Sequence, residues 1–98
     1  MPDDAISIAS NAVIQRSGGW LCAEVGDNLV MMNTANDRHI GLTETGKRIW
    51  ELLETPQTME VLCAGLGKEY DADPQLLRAD VAAFIRDLVA QGAASLEG

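Results

Sequence analysis

The spacing of apolar residues changes character at residue 43. Before it, apolar positions come in short runs cut by turn formers: Trp20–Val25 and residues 29–32 flank Gly26-Asp27-Asn28, and Asn33-Thr34-Ala35-Asn36-Asp37 leads into residues 38–42. Short apolar runs bounded by Gly, Asn and Asp are what antiparallel strands joined by tight turns require, so the pattern predicts a three-stranded meander. Leu21, Ala23, Val25, Leu29 and Met31 alternate with Trp20, Cys22, Glu24, Val30 and Met32, and neither set is strongly polar.

After residue 43 the period becomes helical. Gly46, Ile49, Trp50 and Leu53 fall at i, i+3, i+4 and i+7, with Thr43 placed to cap, Glu44 in the first turn and Thr55-Pro56 as the stop. Thr58 opens a second helix striped by Met59, Leu62, Cys63, Leu66 and Tyr70; Gly65 and Gly67 each cost it about 1 kcal/mol relative to Ala, so it must lean on its neighbours. Asp73-Pro74 is a capping acid followed by Pro at the first helical position, and Leu77, Val81, Phe84 and Leu88 run to a stop at Gly92. Residues 93–96 can add a short extended piece. Residues 1–11 alternate only weakly and read as a flexible tail. The expectation is one α+β domain over residues 1–98, a three-stranded antiparallel sheet followed by three helices in a winged helix-turn-helix-like order.

Composition narrows the function. The chain has 98 residues, enough for one core, and no apolar run approaches the length that spans a bilayer. The first fifteen residues carry no Lys or Arg for a signal peptide, so a cytoplasmic protein with no membrane partner is expected. Fifteen acids against seven bases give a net charge of −8, which repels nucleic acid and favours a basic partner. Cys22 and Cys63 stand apart from any metal or redox spacing and read as buried free thiols. No cofactor and no metal site are expected.

His39 is the only histidine, and it has no nucleophile or orienting acid in a recognisable motif. The pairs Asp71/Asp73 and Asp80/Asp87 read as a cap flank and a solvated helical face, so nothing points to an enzyme. A winged-helix regulator is the alternative, acting through protein or weak DNA contacts, but Arg78 and Arg86 on the would-be reading helix are offset by Asp80 and Asp87. The strand edge is more suggestive. Arg38, His39, Ile40, Gly41 and Leu42 form a run without Pro, Lys or an inward-pointing charge, where natural edges are usually blunted. Its backbone can pair with an extended peptide, unless the N-terminal tail or a dimer mate covers it. The third helix would supply the far wall through Leu76, Asp80, Ala83 and Asp87, beside the stripe of Leu77 and Phe84. Trp50 and Phe84 themselves read as core.

Residues 24–92 carry a more specific signal. Glu24-Val25-Gly26-Asp27, Leu29-Val30-Met31-Met32-Asn33, and above all Leu42-Thr43-Glu44-Thr45-Gly46-Lys47-Arg48-Ile49-Trp50-Glu51-Leu52-Leu53, followed by Leu62, Leu66, Tyr70 and the Asp80-Val81, Phe84, Leu88, Gly92 spacing, resemble the PqqD-like family. These are peptide-recognition modules of pathways that modify ribosomally made peptides. The resemblance implies a non-catalytic domain that binds the leader of a precursor peptide as an added strand, against the third helix. It also implies that the leader is presented to a modifying enzyme, such as a radical enzyme or a leader protease and cyclase. The short stand-alone form and the Gly-x-x-Ile-Trp version look more like the lasso-peptide or general precursor-chaperone branch than the quinone one. Thr43 stands where many relatives have Asn, and His39-Ile40 where aromatics are common.

Overall fold

The computed structural model describes residues 8, 9 and 11–97. Its elements are β1 (Val13–Arg16), β2 (Trp20–Val25), β3 (Asn28–Asn33), β4 (His39–Leu42), α1 (Glu44–Leu52), β5 (Gln57–Thr58), α2 (Met59–Glu69), α3 (Pro74–Ala90) and β6 (Ala94–Glu97). The expected meander is the sheet β2-β3-β4. A two-residue turn with Gly26 at φ +63° joins β2 to β3, a conformation open to Gly at no steric cost. The next turn is held by the Asn33 and Asn36 side chains, which accept from the amides of Ala35 at 2.8 Å and Arg38 at 3.0 Å.

Register decides which residues of this sheet are core. Leu29 lies opposite Leu42 and Met31 opposite Ile40; all four are buried, while Val30 and Met32 face outward. β2 forms the other edge of this sheet, and its residues are exposed apart from half-buried Trp20. Cys22 is therefore exposed, against the expectation of two buried thiols, whereas Cys63 is partly buried and desolvation pushes its pKa up.

The helices start and stop largely where local chemistry places them. Thr58 accepts from the Val61 amide at 3.2 Å and Asp73 from the Gln75 amide at 2.8 Å. Thr43 occupies the N-cap of α1 in extended conformation, but its side chain makes no capping hydrogen bond. At the end of α3, Gly92 adopts φ +81°, and the amides of Gly92 and Ala93 return to the Val89 and Leu88 carbonyls, a Schellman closure. The two glycines of α2 are offset by burial of Met59, Leu62 and Leu66, each contributing about 1.5–3 kcal/mol. Arg48 on α1 bonds Glu69 on α2 at 2.7 Å, and that hydrogen bond holds the Glu69 carboxyl below its usual range.

A second sheet, β5-β1-β6, lies beyond the expected meander; its last strand is the short extended piece expected at residues 93–96. β1 pairs antiparallel with the two residues before α2 and with the strand after α3, stitching the start of one helix to the end of the other. Arg16 at its end lies 4.5 Å from the centroid of the Trp50 ring and donates to the Trp50 carbonyl through Nε at 3.1 Å and through Nη2. Trp50 is buried, as expected. Within the stretch expected as a tail, Ile8 is buried and its carbonyl accepts from Arg78 at 2.9 Å; the expectation for residues 1–7 and Ser10 lies outside the described residues.

Candidate functional site: a groove between a sheet edge and a helix

β4 is an edge strand with β3 on one side only. Which of its backbone groups are free follows from one bond. The Asn33 amide donates to the Arg38 carbonyl at 2.8 Å, so Asn33 and Arg38 form a hydrogen-bonded pair. Such pairs alternate along an antiparallel ladder, and the register then directs the backbone of Ile40 and Leu42 to β3. The N–H and C=O of His39 and Gly41 point away from β3. His39 therefore offers its backbone to the edge while its exposed side chain stands on the outer face of the sheet. The described N-terminal residues leave this edge clear, because β1 belongs to the other sheet.

Beside the edge lies a cavity of about 480 Å³ lined by β4, α1 and α3, with Tyr70 and Ala72 at one end. Its apolar side chains include Ile40, Leu42, Ile49, Leu77, Val81 and Phe84. At the other end Arg38 Nη1 donates to Gln91 Oε1 at 3.2 Å, tying the start of β4 to the end of α3. Of the residues expected from the sequence, Ile40, Gly41, Leu42, Leu77, Asp80, Phe84 and Asp87 line this cavity; Arg38, His39, Leu76 and Ala83 do not. The wall of α3 is rotated from the expected line of Leu76, Asp80, Ala83 and Asp87. The stripe that faces the groove is Leu77, Asp80, Phe84 and Asp87, and Leu76 and Ala83 sit further round the helix with their side chains exposed.

Phe84 is half-buried: it packs on the core and also lines the groove, so the core reading covers only part of its role. What sets its ring is Gly46. A Cβ at residue 46 would come within 3.0 Å of Phe84 Cε1 and 3.5 Å of Leu42 Cβ, so only Gly lets α1 approach this closely. Thr43, Thr45, Gly46, Ile49, Tyr70, Ala72 and Val81 also line the groove and were not singled out as site residues. Gly46 and Ile49 were legible only as part of an apolar stripe. Among the described residues no three His, Cys, Asp or Glu side chains gather to hold a metal ion, and no helix is long and apolar enough to cross a membrane.

The sequence matches the family described as coenzyme PQQ synthesis protein D (PqqD) over residues 28–93. The chain belongs to that family. The match spans the three elements that build the groove, β4, α1 and α3. Two solved structures share the fold of this PqqD-family chain. One, described as TbiB1 in complex with the TbiA(beta) leader peptide, is 28% identical with a TM-score of 0.74, covering 86% of this chain and 95% of that one. The other, described as lasso peptide synthetase B1 complexed with the leader peptide, is 18% identical with a TM-score of 0.74, covering 84% and 96%. No curated protein matches the chain.

Proposed function

We propose that this PqqD-family chain is a non-catalytic recognition module that captures the leader segment of a ribosomal precursor peptide as an added strand on β4 and presents it to a modifying enzyme, such as a leader protease. The observation that carries this reading is the pair of outward backbone residues, His39 and Gly41, set beside an apolar groove. Strand addition takes affinity from such main-chain bonds and specificity from pockets for alternate side chains. The peptide-contacting set is Ile40, Gly41, Leu42, Leu77, Asp80, Phe84 and Asp87, with His39 acting through its backbone. The two proteins of the same fold described as leader-peptide complexes support the same use of the fold. The regulator alternative gains nothing from the structure, since the α3 stripe facing the groove carries two acids and no base.

The test is Gly41→Pro, titrated with a labelled leader peptide from a precursor encoded beside this chain. The substitution removes an outward N–H and leaves the β3 ladder intact, and Pro is tolerated on edge strands in that orientation. A Cβ at residue 41 meets nothing within 4 Å. Unchanged circular dichroism with at least a roughly tenfold loss of affinity, the equivalent of about 1.4 kcal/mol, is expected. Unchanged affinity contradicts strand addition at this edge.

A further inference from the structure

The charge along the groove specifies the kind of peptide it takes, an inference that rests on the strand-addition reading and goes beyond it. Among the described residues, Asp80 and Asp87 are the only charged side chains lining the cavity. Both are exposed, and neither joins an ion pair among the described residues. Cations on the flanking elements are engaged elsewhere: Arg38 donates to Gln91, Lys47 pairs with Glu24, and Arg48 pairs with Glu69 and Glu51. Arg86 projects about 100° or more round α3 from Asp80, Phe84 and Asp87. Among the described residues, two negative charges thus border an otherwise uncharged groove with no cation set between them.

Their spacing matters as much as their sign. Asp80 and Asp87 are two helical turns apart, about 10.5 Å along the axis, and Phe84 lies on the same stripe between them. Alternate side chains of an added strand point to one face about 6.7 Å apart. Residues four apart on the peptide therefore span about 13 Å, a difference that long Lys or Arg stems accommodate. We infer that the captured leader segment carries a basic residue on each side of an apolar one, in the order basic, any, apolar, any, basic. The apolar side chain seats against Phe84 and the two cations reach Asp80 and Asp87. An acidic segment is repelled by the same two carboxylates.

A phage-displayed library of random twelve-residue peptides, panned on the immobilised full chain in 50 mM salt, tests this directly. The enriched peptides should share the basic-apolar-basic spacing. A synthetic peptide with that sequence should bind the wild type about tenfold more tightly than the near-isosteric Asp80→Asn/Asp87→Asn variant, a loss of about three- to fivefold for each exposed pair. That advantage should disappear in 0.5 M salt. Panning that yields no binder, enriched peptides without a basic bias, or equal binding by wild type and the double Asn variant at low salt overturns the inference. Gly41→Pro separates the two levels: selected peptides that lose binding to it leave strand addition standing even where the charge pattern fails. Peptides that bind it like the wild type remove both.

Discussion

At the residue scale the groove depends on what is missing from position 46. Gly46 sits on the buried face of α1 and gives the Phe84 ring its place. Gly46→Ala gains up to about 1 kcal/mol of helix propensity and loses a comparable amount by crowding Phe84, whose ring can shift toward the open groove. The expected outcome is a denaturation midpoint within about 1 kcal/mol of wild type, with leader affinity lowered roughly fivefold, another 1 kcal/mol or so. Unchanged affinity would show that the ring's position does not matter to the peptide. A one-dimensional stripe could place Gly46 on the core face but could not report the aromatic ring from α3 that meets it. The same limit explains Leu76 and Ala83. Helical periodicity put them in line with Asp80 and Asp87, and only the packing of α3 beside β4 and α1 decides where the groove ends.

At the scale of elements, the meander, the three helices and the Asp73-Pro74 and Gly92 boundaries were legible because each is written in local chemistry. Of the second sheet only the last strand was legible, as the extended piece expected at residues 93–96; the pairing was not, since β1 finds its partners in residues 57–58 and 94–97, about forty to eighty residues along the chain. Its anchor gives a prediction. Arg16→Ala removes a cation over the Trp50 ring and a charged donor to the Trp50 carbonyl near the end of α1, and should cost about 2 kcal/mol of stability in denaturant unfolding. Leader affinity should hold in the folded fraction, because Arg16 lies outside the groove. The Arg48–Glu69 pair predicts an acid dependence. The carboxyl of Glu69 is held below its ordinary value of 4.5 by the hydrogen bond from Arg48, so its contribution is fully present above that pH and is lost as pH falls through the lower folded-state value. The thermal midpoint of Glu69→Gln should fall below wild type at pH 7, and the gap should close on acidification. A gap that persists to low pH would mean that the ion pair is not its source.

For the whole molecule, the net charge of −8 and the acid-bordered groove favour a peptide carrying positive charge over nucleic acid. The edge strand, the groove and the family motif converge on one face, and the second sheet holds the helix ends that carry the far wall. The central claim is that a peptide pairs with β4 through His39 and Gly41. Amide hydrogen exchange resolved by residue, with and without leader peptide, tests it most directly. In the free protein the amides of Ile40 and Leu42 should already be protected by β3, while those of His39 and Gly41 exchange quickly. Saturating peptide should slow His39 and Gly41 by at least about tenfold and change Ile40 and Leu42 far less. Fast exchange at His39 and Gly41 in the saturated complex would contradict the account.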